Sequence, residues 1–248
     1  PDPFNRRTTP DGMGRINHFF SMPGWKPTPL SRQRGGVVRG MVTRHRVPTH
    51  GLAVGRERTV YLYRPALGEK YPLLAVFDGQ DYLQRGRLVQ IVDNLVAQGL
   101  IRPIALALVE HGRAARMVEY ACNDATVGFL RESVLPLAQA ELDLLDARTA
   151  SGAHGILGAS MGGLMALYAA VRAAHLFGRV LSQSGAFADP GFGPAVLDLI
   201  REVPPRALHI WMGVGRLEWL LEANRKACAL LQEKGLSLIH ISEPTRPY

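Results

Sequence analysis

One stretch constrains this chain more than any other: Gly158-Ala159-Ser160-Met161-Gly162-Gly163. An apolar run, Gly155 to Leu157, leads into it, and an Ala-rich run, Leu164 to Val171, leads away. A serine between glycines at a strand-to-helix junction meets the demands of a sharp, strained turn. Small residues stand where strand and helix crowd each other, and the serine side chain is pushed out above the sheet. In that setting Ser160 is a nucleophile. The Met161 N–H, at the start of the helix, faces the oxygen that gains charge when a carbonyl is attacked. A glycine-rich turn that merely contains serine is the bland alternative; the flanking strand and helix and the extra Gly163 weigh against it.

The rest of the chain supplies the sheet this turn needs. Strands are predicted at Val37 to Arg46, Thr59 to Tyr63, Leu73 to Phe77, Ile104 to Val109, Gly155 to Ala159, Val180 to Gln183 and Leu208 to Val214. Short, wholly apolar runs such as LLAVF suit parallel strands buried on both faces. Helical patterns fall at Leu88 to Ala97, Ala125 to about Leu144, Met161 to Ala174 and Leu220 to Lys234. Asp124 is read as the cap of the second of these, and Pro136 as a kink or break inside it. Alternating strands and helices predict an α/β domain, a mostly parallel sheet with helices on both faces, over residues 37–235. Residues 1–36, rich in Pro and Gly, read as an irregular arm.

Composition removes several classes of function. The net charge of +8 is carried almost wholly by arginine, with only Lys26, Lys70, Lys226 and Lys234 as lysines. Arginine beside abundant Ala and Gly follows from a GC-rich genome. The basic residues are scattered, with no aromatic-studded stripe, so no nucleic-acid partner is expected; a milder reading is that some arginines draw in an anionic substrate. No apolar run is long enough for a membrane span. Cys122 and Cys228 make no disulfide framework and read as free thiols in a reducing cytoplasm. The histidines show no metal-ligand spacing, so no metal or other cofactor is expected.

A tetrahedral oxyanion needs a second N–H donor. The loop after LLAVF, Asp78-Gly79-Gln80-Asp81-Tyr82, offers the Gln80 N–H, with Gly79 allowing the turn and Asp78 bracing the loop. Arg116 and Glu119, three apart in ARMVEY, read as an ion pair bracing a loop or short helix; the alternative sets Arg116 against a substrate anion. Tyr82, His111, Arg116, Tyr120 and Phe187 fall on loops near the carboxyl edge of the sheet, where open α/β folds bind ligands. Ser182 or Ser184 lies near the same edge, without the elbow context.

From Val37 to Gly235 the chain resembles the esterases of the enterochelin-esterase (Fes-like) and esterase-D groups. VYLYRP, LLAVFDGQDYL, ARMVEYACND, GASMGGLMALYAA, FGRVLSQSGAF and VGRLEWLLEANRKACALLQEKG carry the resemblance. It implies an α/β-hydrolase fold, no cofactor and hydrolysis of a small-molecule carboxylic ester, a siderophore trilactone in the best-known members. It also places the acid in a G-x-x-D/E position after the strand LHIWMGV, which is Glu218 here, with Glu222 its nearest competitor. Residues 1–40 are too short and irregular to supply the additional N-terminal domain of enterochelin esterases. Acyl transfer of the mycolyltransferase kind is a second enzymatic reading, and a hydrolase fold kept as a binding module is a third.

The base is the member this pattern does not supply. In the resembling family it is a His in a G-G-H-type loop beyond the last helix. Here Gly235 is followed by LSLIHISEPTRPY, which resembles the in-frame translation of a transposon-type sequencing adapter. Residues 236–248 are therefore expected to be non-native, with the closing strand and histidine loop lost. LSLIHI alternates like a strand, which would hold His240 within it. His154 reads as structural, and a chain without the base is expected to be an impaired hydrolase.

Overall fold

The computed structural model describes residues 4–10, 15–21, 23–188, 191–202 and 207–243. In chain order its elements are β1 (Thr8–Pro10), β2 (Ile16–His18), β3 (Met41–Pro48), β4 (Glu57–Arg64), β5 (Leu73–Val76), α1 (Gly79–Gln84), α2 (Leu88–Ala97), β6 (Ala105–Val109), α3 (Arg116–Glu119), α4 (Asp124–Phe129), α5 (Leu135–Glu141), β7 (His154–Ala159), α6 (Met161–Arg172), β8 (Phe177–Gln183), α7 (Gly193–Glu202), β9 (His209–Gly215), α8 (Leu221–Glu233) and β10 (Ser237–Glu243). One sheet in the order β10-β9-β8-β7-β5-β6-β4-β3 organises them. Its strands run parallel from β10 to β6, and β4 and β3 close the far side antiparallel.

The period of two in the strands decides which residues meet which helices. In β6, Ala105, Ala107 and Val109 join the core beneath α6, while Leu106 and Leu108 join Val89 and Val92 of α2 on the opposite face. β5 divides the same way, with Leu73 and Ala75 on one face and Val76 on the other. Such strands must be apolar throughout because both faces are covered. Fully burying one leucine of this kind contributes about 1.5–3 kcal/mol.

Topology sets the place of the site. The chain passes from β5 to β6 on one side, then returns to β7 on the other side of β5. A crevice therefore opens outside the carboxyl ends of β5 and β7, where open α/β sheets bind ligands.

Local details depart from the sequence expectations. The stretch read as a helix from Ala125 is α4, a wide turn at Leu130–Val134 and α5. Pro136 has no N–H for the regular ladder, and the widened turn just before it absorbs the defect. Asn123, not Asp124, caps α4: its side-chain oxygen accepts the Ala125 N–H at 2.9 Å. Asp124 instead accepts from Tyr168 and Arg172, each at 2.9 Å. The first long strand starts at Met41, not Val37. The arm carries a small antiparallel ladder, β1 with β2. It is tied down by Asn94, whose amide donates to the Leu30 and Arg32 carbonyls at 2.7 and 2.8 Å. β10 takes the sheet edge beside β9, with His240 opposite Met212 and within the strand; residues 244–248 of the tail lie outside the described residues. Cys122 and Cys228 are free, and burial pushes both thiols up to about 11.

Candidate active site

Ser160 stands between β7 and α6 with φ 56° and ψ −122°, a conformation a non-glycine residue holds only under constraint, at about 1–3 kcal/mol. The constraint comes from its backbone. Its N–H donates to the Gln183 carbonyl at 2.9 Å, and its carbonyl accepts from Gly163, Leu164 and Ala186. The glycines leave no alternative: a methyl on Gly158 would stand 2.2 Å from the Gly162 carbonyl oxygen. Ser160 itself is exposed, while Met161 behind it is buried.

The neighbouring strands deliver the other groups. β5 pairs with β7, and the Phe77 N–H donates to the Leu157 carbonyl, so the loop after β5 lies beside the elbow. There Asp78 adopts φ 54°, and Gly79 packs so tightly that a methyl on it would meet the Leu108 carbonyl carbon at 2.3 Å. Among the described residues the N–H groups of Gln80 and Met161 have no partner. On the other side of β7, β8 ends in Gln183, and Ser184 follows it at φ 44°. Asp78, Ser160 and Ser184 thus place three positive-φ, non-glycine residues at the ends of three adjacent strands.

Glu218 follows β9. Its Oε1 accepts from the Ser184 hydroxyl and the Gly215 N–H, both at 2.9 Å, and Oε2 accepts nothing among the described residues. The sequence left open which of Ser182 and Ser184 lies near this acid. Ser184 does, whereas Ser182 is wholly buried and its hydroxyl has no partner among the described residues. The Tyr82 hydroxyl donates to the Gln183 side chain and so joins α1 to β8. Burial, with the nearby Asp78 charge, pushes its pKa up, so it stays a donor.

The expected Arg116–Glu119 pair does not form. Arg116 donates from Nε and Nη2 to the two carboxylate oxygens of Asp78, both at 2.7 Å. Glu119 turns to Arg58, at 2.7 and 2.9 Å, and also accepts the Val54 and Gly112 N–H groups. Burial opposes the Glu119 charge, but these bonds outweigh it and hold its pKa below the ordinary value. No motif announced Arg58, because its partner is 61 residues away in sequence. Tyr120, expected on the pocket wall, is 2% exposed and packs its ring on Phe77 with centroids 4.8 Å apart. Phe187 is buried too. His111 is half-buried beyond β6, and its Nδ1 accepts the Arg113 N–H at 2.8 Å. His154 is buried at the start of β7, where its Nδ1 accepts the Leu73 N–H at 3.1 Å. Among the described residues no histidine is hydrogen-bonded to Ser160 or Glu218, no three metal-ligating side chains gather, and no helix is long and apolar enough to cross a membrane.

Residues 52–235 match the family described as "Putative esterase". The iron(III) enterobactin esterase of Escherichia coli (strain K12) is 27% identical over 240 residues, 93% of this chain and 58% of that protein. The protein of the same name from Dickeya dadantii (strain 3937) is 30% identical over 137 residues, 53% of this chain and 30% of its own length. The chain thus spans less than two thirds of either relative. Among solved structures, the enterobactin esterase of Shigella flexneri in the presence of enterobactin superposes with a TM-score of 0.80 at 22% identity, over 97% of this chain and 63% of that one. A ferulic acid esterase from Anaeromyces mucronatus, in complex with ferulic acid, gives 0.68 at 17% identity, over 88% of each chain. These likenesses show an α/β-hydrolase fold.

Proposed function

We propose that this chain, which belongs to the family described as "Putative esterase", hydrolyses a carboxylic ester through an acyl-enzyme on Ser160. The observation that carries the proposal is the exposed, strained Ser160 flanked on adjacent strand ends by two N–H groups, those of Met161 and Gln80, that have no partner among the described residues. Ser160 Oγ attacks the ester carbonyl carbon and gives its proton to an imidazole. The carbonyl oxygen becomes an oxyanion held by the two N–H groups. The C–O bond to the alcohol then breaks, and the alcohol leaves with the proton from the imidazolium. Water repeats the sequence on the acyl-enzyme and releases the acid.

Glu218 orients the imidazole. Ser184 and Gly215 hold Oε1, which leaves Oε2 for the ring N–H. The imidazole belongs to the histidine loop of the resembling family, a pattern that residues 236–248 do not carry. Without that base a chain of the present sequence is expected to turn over slowly, several orders of magnitude below an enzyme with all three groups in place. The names of the Escherichia and Dickeya relatives support a siderophore ester of the enterobactin kind as substrate. Hydrolysis of p-nitrophenyl butyrate tests the reaction: slow release of nitrophenol that Ser160→Ala removes is expected, and release undiminished in Ser160→Ala overturns the proposal.

A further inference from the structure

We infer that Arg116 is a positioning residue for the oxyanion hole, acting through Asp78 on the Gln80 N–H. This rests on the Ser160 reading above and adds a residue to it. The donor on Gln80 is only as well placed as the two residues before it. Asp78 must hold φ 54° and ψ 41°, which costs a non-glycine residue free energy. An aspartate just before a helix ordinarily turns its carboxylate onto the first free N–H groups, but the Asp78 side chain makes no such cap. Its carboxylate is drawn away by Arg116, with both oxygens taken at 2.7 Å. A two-point fork of this kind fixes the rotation of the carboxylate as well as its position.

The main chain is gripped at the same place. The Asp78 N–H donates to the Tyr120 hydroxyl at 3.1 Å, and the Arg116 guanidinium lies 5.0 Å over the Tyr120 ring. Residues 116 and 120 thus clamp residue 78 by side chain and by backbone. Beyond it, Gly79 sits against the backbone of β6, so the chain cannot relax there without moving the sheet. The carboxylate also faces the elbow: a methyl on Gly162 would lie 3.3 Å from Asp78 Oδ2. Arg116 is itself anchored, because α3 ends in Glu119, locked by Arg58 from β4. A strut therefore runs from the sheet through α3 to the oxyanion loop.

If Arg116 instead gripped a substrate anion, its loss would raise KM for anionic esters and leave kcat for neutral ones. Positioning of the donor makes the opposite demand, since an oxyanion contact forms only in the transition state. Steady-state hydrolysis of neutral p-nitrophenyl butyrate is measured for the unsubstituted chain, Arg116→Met, Arg116→Lys, Asp78→Asn and Ser160→Ala, with thermal melting of each. Arg116→Met is expected to lower kcat about tenfold or more, with KM within about twofold. Arg116→Lys is expected to recover part of the loss, and Asp78→Asn to move kcat the same way if Arg116→Met does not fold. The tetrahedral boron-NMR signal of phenylboronic acid on Ser160 reads the same hole without turnover, and it is expected to weaken in Arg116→Met. Unchanged kcat and an unchanged boron signal in a folded Arg116→Met, while Ser160→Ala abolishes both, overturn the inference alone. A boron signal no stronger in the unsubstituted chain than in Ser160→Ala overturns the Ser160 reading, and the inference with it.

Discussion

At one end of β7, His154 is wholly buried and its Nδ1 takes the Leu73 N–H; at the other, Ser160 is exposed with its backbone at φ 56°. The same contrast holds across the sheet. The strand bodies bury apolar side chains in strict alternation, and Leu106, Leu108 and Ile156 have no exposed surface. The carboxyl ends carry strained residues at 78, 160 and 184, the ion pair of Asp78 with Arg116, and N–H groups left open. Free energy gained in the strand bodies holds those ends in shapes they would not adopt alone. Strain at one edge is tolerable because the other parts of each strand are rigid.

The comparison breaks first, and by the largest amount, at the strut. Arg58 and Glu119 are a buried pair, with side chains 7% and 5% exposed. Glu119→Gln is expected to destabilise the fold by about 3–5 kcal/mol, read by urea unfolding, because it leaves the Arg58 charge without its counterpart. Replacing both, as Arg58→Met with Glu119→Leu, is expected to return most of that stability; a double variant as unstable as the single one would contradict the pairing.

A smaller effect sharpens the quiet end of β7. Burial lowers the His154 pKa from its ordinary 6.5, and its Nε2 has no partner among the described residues. The folded state therefore prefers neutral His154, and below pH about 6.5 the unfolded chain binds a proton the folded one does not. His154 contributes stability that is intact above that pH and lost as pH falls toward its lowered value, by up to about 1.4 kcal/mol per pH unit. His154→Gln is expected to flatten this part of the stability profile between pH 7 and about 5. Equal slopes in the two proteins would contradict the assignment.

The smallest effect falls at the strained end. Ser160→Gly is expected to raise stability by about 1 kcal/mol while abolishing esterase activity, since glycine holds φ 56° without strain. A loss of stability would show that the serine is not held against its preference.

The elbow and the buried strands were legible because their chemistry is local. Gly158 is demanded by the backbone of Gly162, four residues on, and a run such as Ala105–Val109 can only be a strand covered on both faces. Partner choice was not legible. Arg116 and Glu119 are neighbours on a helix of four residues, yet each finds its partner on a distant strand or loop, Asp78 and Arg58, in directions the sequence does not encode. The same holds for Tyr120: a tyrosine in a loop reads as a wall residue, whereas its hydroxyl accepts the Asp78 N–H. α7 is not legible either, although Val196 and Ile200 recur at helical spacing and are both buried, because the segment lies among Gly and Pro. The siting of the proposed acid needed the family pattern; in the structure Glu218 is held by Ser184 and Gly215, whereas Glu222 lies in α8 and pairs with Arg225.

The most direct test of the account treats the chain with a fluorophosphonate probe and maps the adduct by peptide mass spectrometry. The account expects a single adduct on the peptide carrying Ser160, absent in Ser160→Ala and weakened in Arg116→Met. An adduct on Ser182 or Ser184 in place of Ser160 would contradict Ser160 as the nucleophile.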